Sequence, residues 1–340
     1  ADKKPAGSVR PFLPRQLLFE TAEDGDQIAY PILNGTDERT RGGEVIVSSD
    51  RTPQKWLTAQ LSPPSIIPLQ SGGVLYVDRE DFKCALIENR APLTSNTPEI
   101  DVENGVINLY RWSASDDSYT LITNRVPLNP SVHTVGLTYE VAGASSDCSK
   151  IFFRVPTAFF TPNYEFLANS SGLYEWDNGV LRDAGLRPDG TAPATGTAGE
   201  EAPHSEWSVS PEGHFFFSAA SDAGTDNGKL AGFVRKGPTQ VVDASLSKTA
   251  TSTLGASYET ASPDGSHVFF LANYGLTAVS SSGPAEKCTQ VTNLERLNNT
   301  ACALYDYDVE TGELTDISAD ANPADSNGAV AQGIVDVSKD

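Results

Sequence analysis

One short pattern returns along the chain and limits what it can fold into. A small polar residue, an acidic residue and a glycine-like position open a run of apolar residues. The clearest copies are Ala261–Phe270 (ASPDGSHVFF) and Val209–Phe217 (VSPEGHFFF). Ala144–Phe153 (ASSDCSKIFF) keeps the frame with Cys148 in the Gly position. Thr21–Tyr30 (TAEDGDQIAY) fits, Val77–Ile87 (VDREDFKCALI) fits loosely, and Val335–Asp340 (VDVSKD) reads as the opening of a sixth copy. The matched acidic residues are Asp24, Asp81, Asp147, Glu212, Asp264 and Asp340, spaced by 52 to 76 residues. A carboxylate here accepts hydrogen bonds from turn N–H groups, and that is the role expected of Asp24, Asp81, Asp147, Glu212 and Asp264.

The second half of each unit recurs too. Leu109–Thr123 (LYRWSASDDSYTLIT) and Leu304–Ser318 (LYDYDVETGELTDIS) read as strand, turn, strand, with Leu173–Leu181 (LYEWDNGVL) and Gly232–Val242 (GFVRKGPTQVV) as shorter versions. Asn178-Gly179 is a strong hairpin signal, because a type I′ turn needs φ > 0 at both central residues. Lys236-Gly237 and Thr311-Gly312 are expected in the same place, and Glu44–Leu61 carries this half of the first unit in looser form. The apolar runs are short and rich in aromatic and β-branched residues, which argues for strands. The one helix candidate is short, Gln290–Asn298.

Four short antiparallel strands repeated about every 60 residues make a propeller blade, with insertions beyond the usual period of roughly 40–50. The surplus falls in residues 88–105, 156–172 and 273–303, rich in Pro, Ser, Asn and Thr. A lone blade cannot bury both of its faces, so neighbours must stack about an axis. The expected architecture is therefore an all-β propeller of about six four-stranded blades over residues 20–340, after an extended segment at 1–19.

Charge and cysteines narrow the function classes. The 340 residues carry 45 acidic and 24 basic side chains, a net charge of −21, and no basic patch of the kind a nucleic-acid binder needs is visible. Self-repulsion on that scale suits a secreted protein. The longest apolar stretches, such as Val268–Ala272, stop at five residues, far short of the roughly 20 of a membrane-spanning helix. Methionine is absent even at position 1, and Ala1 fits the residue following a removed signal peptide. Cys84 and Cys148 fall near the start of the second strand in consecutive units and are expected to bridge adjacent blades, while Cys288–Cys302 would staple the longest insertion. Two disulfides imply an oxidising compartment; four buried free thiols are the alternative.

Catalytic patterns are missing. His133, His204, His214 and His267 are scattered, and no G-x-S-x-G elbow occurs. Calcium is the one cofactor the residue types suit. Asp222, Asp226 and Asn227 (in DAGTDNG) gather hard oxygen donors, as does Ser115–Ser118 (SDDS), though neither has EF-hand spacing. Trp112 and Trp176 follow Leu-Tyr at the same offset, which marks a shared packing slot. The sequons at Asn34, Asn169 and Asn298 read as plain surface asparagines.

The Ser-Pro-Asp-Gly turn, the strand after it and the Leu-Tyr-x-Tyr-Asp…Thr-Gly-x-Leu-Thr hairpin resemble TolB-like β-propeller repeats over about residues 20–340. The LYEWDNGVLR and LYDYDVETGELTDIS hairpins are similar to those of a group of long secreted propeller proteins from soil actinobacteria. The resemblance implies fold and location but no catalytic residues. TolB-like propellers serve as binding platforms, and some accompany hydrolase domains, of which none is visible in this sequence. The chain departs from the repeat at Asp340, where a first strand should turn into a second. Either the N-terminal strands complete that blade by ring closure, or the natural protein continues. The expected function is an extracellular, non-enzymatic scaffold that binds a protein or cell-envelope glycan or assembles with itself. The alternative is a glycan lyase or hydrolase at the mouth of the propeller channel.

Overall fold

The computed structural model describes residues 20–21, 27–33, 44–51, 56–60, 74–77, 82–89, 92–98, 107–125, 139–154, 166–167, 172–192, 196–198, 208–220, 230–246, 256–272, 276–277, 303–319 and 337. These residues contain no helix, and their strands form five four-stranded antiparallel sheets. The first sheet holds β1 (Glu20–Thr21), β2 (Gln27–Leu33), β3 (Glu44–Arg51) and β4 (Trp56–Gln60). The second holds β5 (Val74–Val77), β6 (Cys84–Asn89), β7 (Asn108–Ser113) and β8 (Ser118–Leu121), and the third β9 (Glu140–Ala144), β10 (Lys150–Arg154), β11 (Leu173–Asp177) and β12 (Val180–Asp183). The fourth holds β13 (Gly196–Ala198), β14 (Phe215–Ala220), β15 (Leu230–Gly237) and β16 (Gln240–Asp243). The fifth holds β17 (Ser257–Ala261), β18 (His267–Ala272), β19 (Ala303–Asp308) and β20 (Leu314–Asp316). Every sheet is a meander in chain order, so each repeat is one blade of an all-β propeller. Residues 1–19, the helix candidate at Gln290–Asn298 and, Val337 apart, the opening of a sixth copy lie outside the described residues.

The second strands show why neighbouring blades must stack. Side chains alternate across a strand, yet Ile151, Phe152 and Phe153 are all buried, as are Phe215, Phe216 and Phe217. Ile151 and Phe153 join a core with Cys84, Leu86 and Leu109 of the second blade. Phe152 instead packs with Phe215, Phe217 and Phe233 of the fourth, its ring stacked 4.6 Å from that of Phe215. Phe216 turns the other way, toward Tyr258, Val268 and Phe270 of the fifth blade. A continuous apolar strand is thus split between two cores, one on each face of its sheet. At roughly 1.5–3 kcal/mol per fully buried large apolar side chain, these inter-blade cores dominate the stability of the stack.

A meander puts its first and third connections at one end of the sheet, here the turn end, and the second-to-third insertion at the other. At the turn end the repeated motif does what its residues dictate. Phe82, Cys148, Gly213 and Gly265 all have left-handed φ, between 50° and 81°, at the glycine-like position. The third-to-fourth hairpins are less uniform than the sequence suggests. Asn178 (φ 46°) and Gly179 (φ 98°) form the expected two-residue turn, closed by the Asp177/Val180 pair. In the fourth blade Gly237 pairs with Gln240, so the turn is Pro238-Thr239 rather than Lys236-Gly237. A bulge between Arg235 and Gly237 shifts the register there. In the fifth blade Thr311-Gly312 belongs to a longer turn closed by the Asp308 N–H on the Glu313 carbonyl, with Gly312 at φ 73°.

Candidate functional site

The turn end carries the repeat-borne polar residues. Asp264 Oδ1 accepts the Ser262 hydroxyl at 2.6 Å, the Ser266 hydroxyl at 2.8 Å and the Ser266 N–H at 3.0 Å. The Ser262 hydroxyl, then the Ser266 N–H, hold its carboxyl down to about 2. Asp147 repeats the arrangement with the Ser145 hydroxyl at 2.7 Å and the Ser149 N–H at 3.0 Å. Burial works against its ionisation, but the bonds from Ser149 and Ser145 outweigh it and lower its pKa. Glu212, a methylene longer in a turn one residue shorter, accepts the Ser210 hydroxyl at 3.1 Å. In all three turns the serine hydroxyl oxygen also takes the N–H of the residue at the head of the second strand, Lys150 and His267 as its first residue and His214 just before it, at 3.0 Å.

The same end joins one blade to the next. Cys84 opens the second strand of its blade, and a disulfide links it to Cys148 in the turn of the third blade. Lys150 holds the matching position one blade on. Its side chain lies against Gly213 of the fourth blade, where an added Cβ would meet Lys150 Cδ at 2.6 Å, and its Nζ donates to the Glu212 carbonyl at 2.9 Å. The residue with positive φ is therefore jammed against the preceding blade. Gly213 and Gly265 leave room for the neighbour, whereas Cys148 brings its own side chain and bonds to it. At Gly265 the added Cβ would stand 2.1 Å from Ser210 Cβ.

Further cations reinforce the joints. Arg111 of β7 donates to the Cys148 carbonyl at 3.1 Å and lies over the Trp176 ring, 5.4 Å from its centre. Lys236 of β15 donates to the Val309 carbonyl in the fifth blade. Arg235, on the same strand, reaches back to Glu175 of β11 with bonds of 2.7 and 3.2 Å, both side chains 2% exposed. Trp112 and Trp176 are both buried, and the Trp112 indole donates to Asp117 at 2.8 Å.

The two described histidines occupy equivalent places with opposite surroundings. His267 Nδ1 faces the Asp306 carboxylate across β19 at 3.0 Å. His214 precedes the Phe215/Arg235 pair, which sets it beside Lys236. Burial, then Lys236 and Lys150, lower its pKa against the pull of Glu212.

Asp24, Asp81, Asp222, Asp226, Asn227, Cys288, Cys302, His133 and His204 lie outside the described residues. Among the described residues no group of three His, Cys, Asp or Glu stands close enough to hold a metal ion, and no helix is long and apolar enough to cross a membrane. Two repeated features escaped the reading of the sequence. Asp243 accepts the Ser245 N–H and hydroxyl at 2.9 and 2.8 Å, and Asp316 does the same for Ser318 at 3.0 and 2.8 Å. Each serine hydroxyl oxygen accepts in turn from the third strand, the Gly232 and Leu304 N–H groups at 3.0 Å. The Asp-x-Ser spacing in VVDAS and LTDIS was the available signal. The first strand of three blades also bulges, its register passing over Leu75, Ala142 and Glu259, and no residue type marks that position.

No protein-family profile matches the chain, and no curated protein matches it in sequence. Solved structures do resemble it. The β-propeller domain of the Trilobed protease from Pyrococcus furiosus, of open velcro topology, matches with a TM-score of 0.42 and 12% identity, over 92% of this chain and 73% of that one. The Pyrococcus horikoshii acylaminoacyl peptidase gives 0.42 and 10%, over 92% of this chain but 40% of its own. A putative TolB from Agrobacterium tumefaciens gives 0.37 and 13%, over 87% and 78%.

Proposed function

We propose that the chain is an extracellular, non-enzymatic propeller scaffold that presents its long insertions to a protein or cell-envelope glycan. One observation carries this reading. The acidic residues that recur from blade to blade, Asp147, Glu212 and Asp264, bond within their own turns. The best-kept polar chemistry of the repeat thereby fixes the turns of the frame itself. A rigid stack with variable insertions at one end suits recognition, since binding residues gather on loops set by a fixed frame. The Cys84–Cys148 disulfide fits an oxidising compartment.

The test pairs retention with turnover. The purified chain is sedimented with cell-wall sacculi and incubated with polysaccharide and peptide panels, with and without calcium. The scaffold reading expects retention on sacculi and no new sugar ends or peptide fragments. Product formation from either panel would give the glycan lyase or hydrolase reading in its place. A strict monomer that neither cleaves nor is retained would overturn the scaffold reading as well.

A further inference from the structure

Each blade turns one face to the blade before it and the other to the blade after it. On the second kind of face, equivalent positions can be compared along the chain. In the second, third and fourth blades the middle of the second strand supplies Leu86, Phe152 and Phe216, at most 1% exposed. Ile122, Ala184 and Ala244 are buried with them, and their N–H groups bond to the carbonyls of Leu109, Leu173 and Gly232. Each set lies in the core shared with the following blade. The fifth blade keeps the geometry and loses the burial. Phe269 pairs with Asp306 as Phe152 pairs with Glu175, and the Ile317 N–H bonds to the Leu304 carbonyl. Yet Phe269 and Leu304 are half-buried and Ile317 is 47% exposed. On the first blade Ile28 is the counterpart of Ile151, Phe215 and Val268, each buried against the blade before it. Ile28 is itself half-buried, so the first and fifth blades do not seal one another.

We infer that this face of the fifth blade is the seat of residues 332–340, which lie on it as the first strand and turn of a sixth blade. Residues 332–340 (QGIVDVSKD) align without a gap on residues 256–264 (ASYETASPD), the stretch through which the fifth blade meets the fourth. There Ala256, Tyr258 and Ala261 are buried in one core with Phe216, Val234 and Ala244. Ile334 and Val337 hold the places of Tyr258 and Ala261, and Val337 is half-buried. Ile334 then lies over Phe269 as Tyr258 lies over Phe216, where the ring centres are 6.2 Å apart. Gln332 takes the place of Ala256, beside Leu304. Removing Phe269, Leu304 and Ile317 from water drives the docking. This inference does not rest on the scaffold reading, since an enzyme on the same frame would need the same joint.

The joint between the fourth and fifth blades sets the test. A Cβ added at Gly232 would stand 3.9 Å from the Ala256 Cβ, within the roughly 3.5–4.5 Å that a disulfide spans. Leu304 and Gln332 hold the same two places one joint further on. The full chain keeps its Cys84–Cys148 disulfide and carries Cys288→Ser and Cys302→Ser, so that no other thiol competes. It then receives Leu304→Cys with Gln332→Cys, or Gly232→Cys with Ala256→Cys as the control. After air oxidation, non-reducing peptide mapping should recover a link from 304 to 332 within one chain, as it recovers 232 to 256 in the control. Free thiols at 304 and 332 beside a linked control would overturn the inference. So would a link between two chains, which would seat a second copy on the face. Should the cysteine variants fail to fold, hydroxyl-radical footprinting of the natural chain against Ile334→Asp decides. Oxidation of Phe269 should rise at least threefold in that variant while exposed Val180 stays unchanged, and an unchanged Phe269 would again overturn the inference. None of these outcomes bears on sacculus retention.

Discussion

The third blade has two faces, and they are closed by different chemistry. Toward the second blade it is held covalently, by Cys148 to Cys84, with Arg111 lying over Trp176. Toward the fourth it is held by charge, through the buried Glu175–Arg235 pair and the Lys150 bond to the Glu212 carbonyl, with Phe152 stacked on Phe215. Glu175 and Trp176 are neighbours on β11, so strand alternation alone sends one to each side. The disulfide and the Lys150 contact are two fillings of one position, the first residue of a second strand against the next blade's left-handed turn residue. The lesson is that the repeat fixes a geometry and leaves the bond that fills it free to vary.

The largest effect should come from breaking the charged face. Arg235→Met leaves a buried carboxylate without its cation and is expected to cost about 3–5 kcal/mol in urea unfolding. Adding Glu175→Leu to it should recover most of that loss. A double variant no better than the single would show that the pair is not the interaction being lost.

Breaking the covalent face should cost slightly less. The loop between Cys84 and Cys148 spans 64 residues, for which the chain-entropy account gives about 4 kcal/mol, and native disulfides of this kind are typically worth about 2–4. Cys84→Ser should lower stability by that amount while Arg111 and Trp176 keep the interface packed. Loss of the interface itself, read as rapid proteolysis between residues 113 and 140, would contradict that division of labour.

A third variant probes the same turn position one joint further on, between the fourth and fifth blades. Gly265→Ala meets both a positive φ and Ser210 Cβ, so it should cost about 2–4 kcal/mol. Gly179→Ala has a similar φ but nothing within 4 Å, so only the conformational cost of about 1–2 kcal/mol remains. Equal losses at the two sites would remove the inter-blade contact from the account.

The smallest effect concerns the turn acids. The folded-state pKa of Asp264 is held down to about 2, below its ordinary 3.8. A depressed carboxyl stabilises the fold above about pH 4 and loses that contribution as pH falls toward 2. Asp264→Asn should therefore be less stable than the natural chain at pH 7 and approach it near pH 2.5. A gap that does not narrow on acidification would mean that the side-chain charge plays no part.

Much of this was legible in the residues. Runs such as HFFFS and KIFFR have the length of strands and leave no polar face, which requires a neighbour on both sides. Asp-Gly after Ser-Pro encodes a turn with its own acceptor, and Asn178-Gly179 encodes a type I′ hairpin locally. The fourth blade's hairpin misled because Gly237 attracts the eye while a bulge at Arg235–Gly237 moves the turn to Pro238-Thr239; a bulge depends on the partner strand. The charged joints were hidden for a similar reason. Glu175 and Arg235 are 60 residues apart, and only stacking brings them together. The Lys150 bond to the Glu212 carbonyl is equally silent in sequence, because the lysine enters from a different blade.

The equivalence of the two faces can be tested by transferring one bond to the other. Lys150→Cys combined with Gly213→Cys rebuilds, between the third and fourth blades, the positions that Cys84 and Cys148 hold between the second and third. On air oxidation of the folded chain, non-reducing peptide mapping should recover a peptide linking 150 to 213 beside the natural one linking 84 to 148. Two titratable thiols at 150 and 213 in a folded, oxidised chain would show that successive blades do not meet through one repeated contact, and the stacking described above would be wrong.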